Sequence, residues 1–184
     1  MPISTDEFRA PATLTPSDLG DHLARLVWES FSDFMADGDA EVPVGDLGAE
    51  SDDGFPPQHT VEEALIFLMW AHTRGAQLAF MGRAPDQLLK DGLDEMHAAI
   101  FEDMVHNGTP KSQVPLFEQR VSTRYSEYHA ASAASDAELG DSVMGHLASR
   151  GSAGGNLGAA LVLRARAVAN PLRDFLEEIE LVPA

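Results

Sequence analysis

The sequence predicts an all-α fold: a compact bundle of six or seven helices around a central hydrophobic helix at about residues 60–81. Three observations predict it. Apolar residues recur at spacings of three and four along most of the chain. No run alternates convincingly with period two, and β-branched residues are sparse. From Ala64 to Ala71 every residue is apolar, so no solvent-facing stripe survives through two turns. A helix that is hydrophobic all round must be wrapped by other helices or by lipid. The run is far shorter than the roughly 20 residues of a membrane span, and His72, Arg74 and Gln77 follow it at once. Other helices must therefore enclose it.

Residues 1–14 lack apolar periodicity and hold Pro2 and Pro11, which predicts a flexible arm ahead of a single helical domain at 15–184. Thr15-Pro16-Ser17-Asp18 reads as a helix start, with Thr as N-cap, Pro at the first position and an acid in the first turn. Leu19, Leu23, Leu26, Phe31 and Phe34 form its apolar stripe to about Ala36, with His22, Arg25, Glu29 and Asp33 on the other side. Residues 37–59 are rich in Asp, Glu, Gly and Pro and read as a long, acidic, mobile loop. Its Asp46, Glu50, Asp52 and Asp53 lack the fixed spacing of a calcium loop.

Thr60-Val61-Glu62-Glu63 reads as a capping box that opens the central helix, and Gly82 and Pro85 bracket its end. The next helix starts at Pro85, carries Leu89, Leu93, Met96, Ile100 and Met104 inward, and stops at Asn107-Gly108-Thr109-Pro110. Pro115 begins a fourth, through Phe117, Val121, Tyr125 and Tyr128 to about Ser132. Asp136 to Ser149 is a weaker fifth, because each of its two glycines costs about 1 kcal/mol in a helix interior. Residues 150–155 read as a flexible connector to a sixth helix from Asn156 through Val168. Asn170-Pro171 then either caps a short last helix, with Leu172, Phe175, Leu176 and Ile179 inside, or kinks one long helix.

Thirty acidic residues against twelve basic ones give a formal charge of −18. Such a surface belongs to a salt-adapted protein, or to one that binds a basic partner. It excludes ordinary nucleic-acid binding, which needs clustered Lys and Arg for phosphates. The absence of cysteine excludes disulfides, thiolate zinc sites and cysteine nucleophiles, and fits a reducing cytoplasm. The acidic N-terminal residues have no apolar signal-peptide region, so a cytoplasmic location is expected, with no membrane partner.

Five residues stand out as ligand-binding candidates: His72, Arg74, His97, Arg124 and Tyr128. His72 shares a helical face with Leu65, Leu68, Met69 and Ala76, so it points inward, where burial disfavours its charged form. Arg74 follows the apolar run, and a buried guanidinium needs an anionic partner: an acid from another helix, or a ligand carboxylate or phosphate. Arg120 and Arg124, one turn apart, imply acidic neighbours, expected on the helix at 85–106. Glu95, Glu102 and His106 lie opposite the apolar stripe and read as a solvated face rather than metal ligands. Asp94 and His97 have the spacing of half a di-metal motif, but no second copy exists. The glycines at 151–158 lack the Lys-Ser/Thr ending of a phosphate loop, and no Gly-x-Ser-x-Gly elbow occurs.

The functional expectation is a non-catalytic acidic helical protein acting by protein–protein interaction or as a homodimer, with no cofactor. Trp28, Phe31, Phe34, Trp70 and Met81 exceed what one small core requires and are candidates for an interface. The alternative is a small-ligand, anion or metal-binding protein with a polar pocket near the central helix.

Overall fold

A computed structural model describes residues 12–36, 58–147 and 157–184. Six α-helices and one short pair of strands make up the described residues. In chain order they are β1 (Ala12–Leu14), α1 (Pro16–Met35), α2 (Gln58–Phe80), α3 (Asp86–His106), α4 (Val114–Ala134), α5 (Asp136–Leu147), α6 (Leu157–Glu177) and β2 (Ile179–Leu181). A single 3₁₀ turn at Lys111–Gln113 leads into α4. The all-α bundle around a central helix is the observed architecture.

The reason that α2 has no polar stripe lies in the packing. Residues from Ala64 to Thr73 are each at most 5% exposed. Leu65, Ile66, Met69 and Phe80 pack into one apolar cluster with α1, α3 and the far end of α6. Phe67, Leu68, Trp70 and Ala71 pack into a second cluster with α5 and the first half of α6. Over residues 64–73 the helix is a partition wetted on neither side. Each large side chain enclosed there contributes roughly 1.5–3 kcal/mol.

Thr15 caps α1 as its sequence predicts: its hydroxyl accepts the Asp18 N–H at 3.2 Å, and the Asp18 carboxylate accepts the Thr15 N–H. α1 lies very close to α3. A Cβ on Gly20 would sit 2.5 Å from the Glu95 Cβ, so the crossing needs glycine there. The Trp28 indole N–H donates to Asp103 at 2.8 Å across the same interface. The first residues of α2 hold the last turn of α5: the Thr60 hydroxyl donates to the Leu147 carbonyl, and the His59 ring to that of His146.

Several expectations change. Residues 12–14 are not part of an arm; they pair in parallel with 179–181, Ala12 opposite Ile179 and Leu14 opposite Leu181. Three residues are too few to show a period, and Ile179, expected inside a helix, is a strand residue with its side chain buried. The central helix begins at Gln58, and Glu63 is not a cap but the partner of Arg124. Of the two readings at Pro171 the single long helix is the one observed: α6 continues through Pro171 to Glu177, and no separate last helix forms. Residues 1–11, 37–57 and 148–156, which include most of the acidic loop and the glycine connector, lie outside the described residues. Of the five interface candidates, Phe34 and Trp70 are core residues, Trp28 and Phe31 pack against the core, and Met81 is 65% exposed. Among the described residues no helix is long and apolar enough to cross a membrane.

Candidate functional site: two clefts along α6

α6 crosses α2 closely, with room for a Cβ at Gly75 of only 3.0 Å to the Ala169 carbonyl. Its flanks face two separate clefts. The roomier one, about 450 Å³, lies between α1, α2 and α6. Its apolar wall includes Val168, Leu172 and Phe175, and its polar groups are His22, Ser30, Asp33, His72 and Arg164.

His72 sets the chemistry of this cavity. The ring is 3% exposed. Its Nδ1 lies 2.7 Å from the Leu68 carbonyl, which can only accept, so Nδ1 carries the proton and Nε2 a lone pair. Burial holds its pKa down to about 4, so the ring is neutral at pH 7. The Ser30 hydroxyl donates to Nε2 over a long 3.4 Å. A serine beside a histidine invites comparison with a nucleophile and its base, but two features oppose it. A base near 4 lies far from the operating pH, and a backbone carbonyl rather than a carboxylate orients the ring. The pair is suited to accepting a ligand hydrogen bond, not to taking a proton from Ser30.

Other acceptors join it. Pro171 has no N–H, so the Ala167 carbonyl cannot receive its usual helical donor, and both residues line the cavity. Asp33 adds a carboxylate. His22 is oriented by Arg25, which donates to its Nδ1 at 2.9 Å, leaving Nε2–H as a donor. Its pKa is lowered, chiefly by burial and then by Arg25.

The five sequence candidates do not form one pocket. Arg74 lines the second cleft, about 220 Å³, between α2, the α4–α5 elbow and α6. His97 belongs to a chain of hydrogen bonds within the bundle. Its Nδ1–H donates to the Leu93 carbonyl, the Tyr125 hydroxyl donates to its Nε2 at 2.9 Å, and Thr73 meets the Tyr125 oxygen at 3.3 Å. Burial lowers the His97 pKa and raises that of Tyr125. Arg124 grips the fully buried Glu63 with two N–H groups, at 2.9 and 3.1 Å. Arg120 bonds Glu62 at 2.6 Å, so the acids facing both arginines come from α2, not from α3. Tyr128 is fully buried edge-on to Trp70, and its hydroxyl has no hydrogen-bond partner among the described residues. Burial, then Glu63, raises its pKa.

Sequence reasoning missed Ser30, Asp33 and His22 as cavity residues, although a signal exists: His22, Leu26, Ser30 and Asp33 recur at spacings of four, four and three on one strip of α1. Among the described residues no three His, Asp or Glu side chains converge to hold a metal ion. No protein-family model, curated protein or solved structure matches this chain, so the site is read from its geometry.

Proposed function

We propose that this chain is a non-catalytic helical protein that binds a small amphiphile in the cavity between α1, α2 and α6. The polar end of the ligand donates hydrogen bonds, as a hydroxyl or an amine does. One observation carries the reading: a buried, neutral histidine of fixed tautomer holds the Ser30 hydroxyl proton at its Nε2, so that the Ser30 oxygen offers its lone pairs to a cavity of about 450 Å³. The Ala167 carbonyl and the Asp33 carboxylate supply further acceptors, while Val168, Leu172 and Phe175 offer an apolar wall. A formal charge of −18 favours a cationic amine over an anion in the approach to the site.

Thermal unfolding in the presence of alkyl amines, alkanols and alkanoates of matched length tests this. A ligand at a hundred times its Kd stabilises by about 2.7 kcal/mol, which raises Tm by about 5–10 °C in a domain of this size. Amines or alkanols are expected to give that rise, and Val168→Trp, which fills the cavity, is expected to remove it. Self-association, or capture of a basic partner, is the competing reading. A concentration-dependent dimer in light scattering, with no response to any compound, overturns the ligand proposal in its favour.

A further inference from the structure

The second cleft has a different chemistry. Arg74 of α2 and Arg166 of α6 both line it, together with Asp136 at the start of α5. Asp136 is already engaged, forming an ion pair with Arg166. Among the described residues Arg74 has no carboxylate within ion-pair distance. Two guanidinium groups and one carboxylate leave the cleft one positive charge in excess, in a chain whose formal charge is −18. A guanidinium stays charged at every ordinary pH and presents a planar fork that matches a carboxylate. Arg74 is half-buried beside Trp70, so its charge is incompletely solvated, and among the described residues it lacks the partner such a group normally has.

We propose that this cleft is a second binding site, for a small monocarboxylate forked by Arg74, with a short apolar body against Trp70 and Leu139. Each part of that description has a cause. The excess charge is single, and the Asp136 carboxylate repels a second negative charge on the ligand, which disfavours phosphate dianions. Apart from Ser132 and Asn170 the rest of the lining is apolar, with Leu139 and Val162 among its larger members beside Trp70, which favours a hydrocarbon body over a polar one. The volume of about 220 Å³ is below the usual range of drug-sized pockets, about 300–1,000 Å³, so the ligand is short. A carboxylate at the end of a protein chain has the same head group but needs more room.

Two-dimensional NMR of the full chain, following the Trp70 indole N–H, reads occupancy directly. Butyrate is expected to shift it saturably, and butyramide to leave it unmoved. Inorganic phosphate and the dipeptide acetyl-glycyl-valine, a stand-in for a protein C-terminus, are expected to bind at least tenfold more weakly. Arg74→Gln should weaken butyrate at least tenfold, with far-UV circular dichroism confirming the fold. Asp136→Asn should tighten it, because Arg166 is then released to join the ligand. Butyramide or phosphate binding as well as butyrate overturns the proposal, as does tighter binding of the dipeptide. So does an Arg74→Gln protein with unchanged affinity, or an Asp136→Asn protein with a weaker one.

Discussion

His72 shows how one side chain writes itself into stability. Its pKa of about 4 in the folded chain compares with about 6.5 when unfolded, and the cause is burial, opposed only by the bond to Leu68. Between those values the unfolded chain binds a proton that the folded chain refuses. The contribution of His72 is therefore complete above pH 6.5 and is lost as pH falls toward 4. By pH 4.5 the loss amounts to about 2.5 kcal/mol. His97 and His22 shift in the same direction, with burial as the first cause in each, so they steepen the fall. Denaturant unfolding at pH 7 and pH 4.5 measures it. His72→Gln, which cannot titrate, should shrink the difference between the two pH values by about that amount, and an unchanged difference would refute the assignment.

At the scale of elements, the bond between α2 and α4 is the informative one. Glu63 is fully buried, and without Arg124 its nearest remaining cation among the described residues is Arg120, at 3.9 Å and itself bonded to Glu62. Arg124→Met should cost about 3–5 kcal/mol, because it strands the carboxylate. Replacing both with Met should cost less than that single change, since an apolar pair of similar volume leaves no orphan charge. Unfolding of the three variants in a double-mutant cycle checks the sign, and simple additivity would contradict it. The same pair marks the limit of sequence reading. Helices α1 to α5 were legible to within a few residues, because caps and apolar spacing are local, whereas for α6 the sequence left open a break at Pro171. Glu63 was not, because Thr60-x-x-Glu63 satisfies a local capping pattern equally well. Only the arrival of α4 beside it decides the partner. His72 was legible as an inward residue and Arg74 as one in need of an anion. Neither spacing nor charge tells that α6 places them in different clefts.

For the molecule as a whole, two apolar clusters share one wall, and this explains why a single helix had to be hydrophobic on every side. The parallel strand pair has a consequence of its own. Ala12 meets Ile179 across almost the whole described chain, and closing so long a loop is entropically expensive and slow. Such a contact behaves as a buckle, fastened after the helices have assembled and able to slip open while they stay together. The Val182 N–H, which donates to the Leu14 carbonyl at 2.9 Å, should therefore exchange for deuterium well before the amides midway along α2. Equal protection at the two places would mean that the buckle and the bundle come apart in one motion.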